Sequence, residues 1–75
     1  MEDTVITTSK NEMWRMLQNT EGYYYFQKKE NGVWRYVSSK NGWKFETSYI
    51  DLANRLFVDF QRYGKYENDN YNPFS

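Results

Sequence analysis

Seventy-five residues with no net charge, no cysteine and no histidine exclude disulfide staples, thiolate and imidazole metal sites, thiol nucleophiles and the usual general base. Leu, Ile, Val and Phe supply only 14 positions, a share that suggests disorder in a highly charged chain, but ten basic residues balance ten acidic ones and 16 aromatics take over the role of the core. A single domain of this size draws only ~3–5 kcal/mol from burial, so every large side chain counts.

In chain order, residues 1–8 make an N-terminal arm or a short edge strand, since Val5 and Ile6 stand among threonines. Met1-Glu2-Asp3 has neither the basic start nor the apolar segment of a signal peptide, and no apolar run approaches the ~20 residues that span a bilayer. Both features predict no membrane partner and a cytoplasmic location, the host cytoplasm if the source is viral. Ser9-Lys10-Asn11-Glu12 has the letters of a capping box, and Met13, Trp14, Met16 and Leu17 can cover one side of a short helix that ends near Asn19-Thr20. Two to three turns do not stand alone, so this helix must dock on the rest of the domain.

Asn31-Gly32 and Asn41-Gly42 each sit between aromatic and β-branched runs, and Asn-Gly is the preferred pair for two-residue hairpin turns. Two such turns give a three-stranded antiparallel meander. They set Lys29 opposite Trp34, Gln27 opposite Tyr36, Tyr25 opposite Ser38, and Ser38 in turn opposite Phe45. Alternation then places Tyr23, Tyr25, Trp34, Tyr36, Trp43 and Phe45 on the face that receives the core. Tyr24, Phe26, Val33 and Val37 share the other face with Lys28, Arg35, Lys44 and Glu46. A one-residue slip in either turn moves part of this assignment across the sheet.

Ser48-Tyr49-Ile50-Asp51 opens a helix, with the Ser48 hydroxyl as cap and Asp51 near the positive helix end. Tyr49, Leu52, Ala53, Leu56, Phe60 and Tyr63 recur at spacings of three and four, Phe57 widens that stripe, and Gly64 supplies the left-handed stop. Residues 65–75, rich in Asn and Tyr and holding the chain's one proline, Pro73, read as a flexible aromatic tail. The expectation is an α+β fold over residues 9–64, a three-stranded β-meander packed against a C-terminal α-helix with a short N-terminal helix, in the order α-β-β-β-α.

That order resembles the double-stranded-RNA-binding domain, which is also similar in length, and its β-β-β-α part resembles the small sheet domains at the start of some integrases. The resemblance covers most of the chain in element order and implies binding to duplex RNA. Where the RNA-binding family presents lysines at the start of its last helix, this chain has Thr47-Ser48-Tyr49-Ile50-Asp51-Leu52.

Charge is segregated along the chain. Residues 28–44 hold five bases and one acid while both flanks are acidic on balance, an arrangement that disfavours nonspecific binding to long polyanions. There is no His-based triad, no phosphate-cradling glycine loop and no metal-ligand spacing, and helix capping already accounts for Asp51 of the Glu46/Asp51 pair. No cofactor or metal is expected.

Eight tyrosines and three tryptophans exceed what one small core can bury, and such residues concentrate where proteins grip proteins. The first expectation is therefore a non-enzymatic protein-binding module, an inhibitor or adaptor, of the kind a virus such as a phage directs at a host enzyme or defence system. Its candidate partner-binding residues are Tyr24, Phe26, Lys28, Arg35 and Lys44. The alternatives are a nucleic-acid-binding domain that uses the same face, with weak binding, and a structural subunit that self-associates through it.

Overall fold

The computed structural model describes residues 2–38, residue 42 and residues 44–64. Within them the chain runs as four antiparallel strands, β1 (Thr4–Thr8), β2 (Trp14–Gln18), β3 (Tyr24–Glu30) and β4 (Val33–Tyr36), laid side by side in sequence order, and then one helix, α1 (Ile50–Tyr63). The order is β-β-β-β-α. It departs from the α-β-β-β-α order on which the resemblance to the RNA-binding domain rests. Among the described residues no helix is long and apolar enough to cross a membrane.

The segment expected to be the N-terminal helix is strand β2. Its Ser9-Lys10-Asn11-Glu12 letters close a hairpin rather than cap a helix. The Ser9 N–H donates to the Trp14 carbonyl (2.8 Å), and the Ser9 hydroxyl accepts from the Trp14 N–H (3.0 Å) while donating to Asn11 Oδ1 (2.7 Å). Asn11 Oδ1 also accepts from the Met13 N–H (3.0 Å), and Glu12 turns the chain with φ at 59°. Ser and Asn side chains that bond nearby backbone favour caps and tight loops for the same reason, so the four letters fit either structure. Burial decides between them. As a strand the segment sends Trp14 and Met16 into the core and leaves Arg15 and Leu17 on the opposite face.

At the next turn, Asn19 Oδ1 accepts from the N–H groups of Glu21 (2.9 Å) and Tyr23 (3.0 Å), and Gly22 has φ at 95°. The Asn31-Gly32 hairpin forms as expected. Both residues have positive φ (51° and 80°), and the register pairs Lys29 with Trp34 and Gln27 with Tyr36.

The second hairpin is shifted by one residue. Ser38 pairs with Lys44, not Phe45, and the Phe45 N–H donates to the Val37 carbonyl (3.1 Å). Asn41 and Trp43 lie outside the described residues, as does the tail expected at 65–75. The shift carries Phe45 to the face of Phe26, and with Trp14 and Met16 already there the helix packs on that face. The core face is thus the opposite of the one expected. Tyr25, Trp34 and Tyr36 lie on the side away from α1, while Tyr24 and Phe26 lie beneath it.

Phe26, with none of its surface exposed, is the hub of the core. Its ring stacks on Phe45 (centroids 5.6 Å apart, 17° between planes) and meets Phe60 edge-on (5.2 Å, 69°), and Phe60 in turn stacks on Trp14 (5.6 Å, 6°). Ala53, Leu56 and Phe57 complete the buried stripe of α1, and Leu52 packs at its edge. Tyr49 and Tyr63, expected in that stripe, are 73% and 50% exposed.

The chain enters α1 through Thr47, which exchanges two backbone hydrogen bonds with Tyr24 (2.7 and 3.0 Å). Thr47 Oγ1 accepts from the Tyr49 N–H (3.1 Å), so Thr47 rather than Ser48 steadies the helix entry, and the cap position itself, Tyr49, makes no side-chain cap bond. The helix ends where expected. Gly64 sits at φ 70° and its N–H donates to the Phe60 carbonyl (2.9 Å).

Candidate binding face

The five residues proposed from sequence do not form one surface. Phe26 is wholly buried, and Tyr24 is half-buried against the core. Lys28 lies on the helix side of the sheet with its Nζ 5.2 Å from the Trp14 ring. Arg35 is opposite Lys28 in the register, exposed, with its Nε 3.9 Å from a Glu30 carboxylate oxygen. Lys44 alone stands on the other face.

That other face carries a different constellation, in rows fixed by the register. Arg15 of β2, Gln27 of β3 and Tyr36 of β4 form one row, Leu17 and Tyr25 the next, and Lys29 and Trp34 the row on the other side. Lys44 joins from beside Ser38. Leu17, Tyr25 and Gln27 are buried in the floor of this face, and Tyr36 rises from it with 55% of its surface exposed.

Cations lie over the aromatic rings. The Arg15 guanidinium sits 4.2 Å from the Trp34 ring centroid and is steered there by a hydrogen bond from its Nε to Gln27 Oε1 (2.7 Å). Lys29 Nζ reaches the same ring at 5.5 Å. Lys44 Nζ lies between two tyrosines, 3.9 Å from the Tyr25 ring and 4.6 Å from the Tyr36 ring, whose centroids are 5.7 Å apart. Each such contact is worth ~0.5–1 kcal/mol at exposed sites and more when desolvated. Together they hold the cationic side chains against the aromatic rings of this face. Among the described residues no carboxylate lies within ion-pair distance of Arg15, Lys29 or Lys44.

At the margin the Tyr25 hydroxyl donates to the Asp3 carboxylate. Burial, and then this hydrogen bond, push the Tyr25 hydroxyl well above its ordinary value of 10.0. The other carboxylate singled out near the helix entry, Glu46, accepts a hydrogen bond from Asn19 Nδ2 (3.0 Å) and so links the β2–β3 turn to the strand-to-helix connection. Among the described residues there is no group of three His, Cys, Asp or Glu side chains placed to hold a metal ion.

Sequence reasoning assigned Trp34 and Tyr36 to the core and Arg15 to a helix, and so missed the constellation they form with Lys44. A signal was present. In Trp14-Arg15-Met16-Leu17 the alternate residues 14 and 16 are apolar, and as a strand this places Arg15 beside Gln27, one row from Trp34. No family model, curated protein or solved structure matches this chain.

Proposed function

We propose that the chain is a non-enzymatic protein-binding module that acts as an inhibitor or adaptor, using the sheet face opposite α1 to occupy a partner's surface. The observation that carries this reading is the kind of residue on that face. An antiparallel sheet with one covered side ordinarily presents polar residues on the other, whereas here Trp34, Tyr36 and Arg15 stand over a buried floor of Leu17 and Tyr25. Trp, Tyr and Arg are the residues in which interface energy concentrates, because each covers a large area with few rotatable bonds or with a planar fork of donors.

The test is affinity capture from the source cell, or its host, with the wild-type chain and with Tyr36→Ala. Tyr36 is exposed enough that its truncation leaves folding intact, which a thermal melt beside the capture checks. Loss of a specific captured protein in the variant, with a melt within a few degrees of the wild type, supports the reading. Equal capture by both chains, or no specific capture by the wild type, overturns it.

A further inference from the structure

We propose that the segment this face recognises is acidic and extended, a stretch of partner polypeptide with carboxylates on alternate residues, seated across Trp34 and Tyr36. The inference rests on the binding-module reading and goes further in naming the chemistry of the partner. Three observations carry it.

Arg15, Lys29 and Lys44 share one face with no carboxylate within ion-pair distance among the described residues. They outnumber Asp3, whose carboxylate at the margin of the face is held by the Tyr25 hydroxyl, so the face holds a positive excess although the whole chain is neutral. Each cation already lies against a ring of Trp34, Tyr25 or Tyr36. A guanidinium seated over an indole still presents its terminal N–H groups at its own edge, where a carboxylate can accept two of them side by side. A nucleobase needs the ring face itself and would have to displace the cation that occupies it.

The spacing suits an extended chain. Same-face residues along a strand repeat every ~7 Å, and so do alternate side chains of an extended peptide. The Trp34 cluster, with Arg15 and Lys29, and the Tyr25/Tyr36 cluster, with Lys44, lie one to two such rows apart. Carboxylates at every second residue of a bound strand therefore meet both clusters, and the intervening side chains point away from the sheet.

Nitrogen-15-labelled full-length protein, in about 150 mM salt to screen loose attraction, is titrated with three probes. They are a short peptide with glutamate at every second position, the same peptide with glutamine in its place, and an oligothymidylate of similar length. The expected result is that the glutamate peptide moves the signals of Arg15, Lys29, Tyr36, Lys44 and the Trp34 indole. The glutamine peptide should bind about tenfold more weakly, and Lys44→Gln should weaken the glutamate peptide about three- to tenfold in a chain that still folds, its melt lowered only by the loss of the Lys44 contacts to Tyr25 and Tyr36. Should Lys44→Gln perturb folding, Lys29→Gln at the rim of the Trp34 cluster serves the same purpose. Equal binding of both peptides at this face would refute the acidic preference and leave the binding-module reading standing. Tighter binding of the oligothymidylate, with the Trp34 and Tyr36 signals moving, would overturn both. If no probe moves this face the inference fails, and the capture experiment with Tyr36→Ala still decides the module reading separately.

Discussion

Phe26→Ala is the substitution that separates the two faces of the sheet most sharply. Phe26 has no exposed surface and touches Phe45, Phe57 and Phe60 at centroid distances of 5.6, 6.2 and 5.2 Å. Truncating a ring in such a place costs ~3–5 kcal/mol, the lost transfer energy plus the cavity left behind. Burial supplies only about that much in a domain of this size, so Phe26→Ala should be largely unfolded at room temperature. Phe26→Leu retains most of the volume but loses aromatic contacts worth ~0.5–1.5 kcal/mol each. Even at the low end of that range the three contacts come to ~1.5 kcal/mol, so this variant should melt at least roughly 6–12 °C below the wild type, at ~4–8 °C per kcal/mol for a domain this small.

The control is Tyr36→Ala, on the other face and more than half exposed, which should shift the melt by only a few degrees. Circular dichroism during thermal and urea unfolding reads all three variants. If Phe26→Ala melts within a few degrees of the wild type, or Tyr36→Ala costs as much as Phe26→Ala, then α1 does not cover the Phe26 side and the face assignment is wrong.

Three further outcomes follow from particular bonds. Ser9→Ala strips the buried Trp14 N–H of its acceptor and should cost ~1–3 kcal/mol in urea titrations; no loss would mean that the Ser9 hydroxyl does not close the first hairpin. Gly64→Ala meets no steric obstacle, with nothing within 4 Å of the added carbon, yet must hold φ at 70°. It should cost ~1–2 kcal/mol, with Gly64→Asn milder, and equal melts for Ala and Gly would contradict the left-handed helix stop. Tyr25, whose hydroxyl is held above its ordinary value of 10.0, keeps its proton in the folded chain at pH values where the unfolded chain gives it up. Stability should be unaffected by this group below about pH 10 and then fall by up to ~1.4 kcal/mol per pH unit. Urea midpoints measured from pH 8 to pH 11.5 for wild type and Tyr25→Phe should diverge in slope above pH 10; parallel curves would show that Tyr25 is not so held.

What was legible in the sequence was what local chemistry dictates. Asn31-Gly32 specified a two-residue turn because both positions need positive φ, and that turn set the register of β3 on β4. The α1 stripe of Ala53, Leu56, Phe57 and Phe60 and the Gly64 stop followed from helical spacing and from glycine's freedom at φ 70°. Strand β2 was not legible in the same way, since a five-residue run satisfies helical and strand periods alike and the Ser9 to Glu12 letters suit a cap or a hairpin. Missing that strand hid Trp14 and Met16, the two side chains that tip the core to the Phe26 side, and the one-residue shift at the second turn hid Phe45. The candidate site went with them. Aromatic rings beside cations were expected, but a sheet turned over exchanges Tyr24, Phe26, Lys28 and Arg35 for Arg15, Lys29, Trp34 and Tyr36, with Lys44 common to both sets.

Photo-crosslinking tests most directly whether partners bind the face opposite α1. A benzophenone-bearing phenylalanine is placed at Tyr36 in one chain and at Val58, on the outer side of α1, in another. The two positions are comparably exposed, 55% and 46%, so reach to a partner and not accessibility distinguishes them. The expected result on irradiation with the captured partner is an adduct from position 36 and none from position 58. An adduct from position 58 with none from position 36 would place the interface on the helix and contradict the assignment of the aromatic and cationic sheet face.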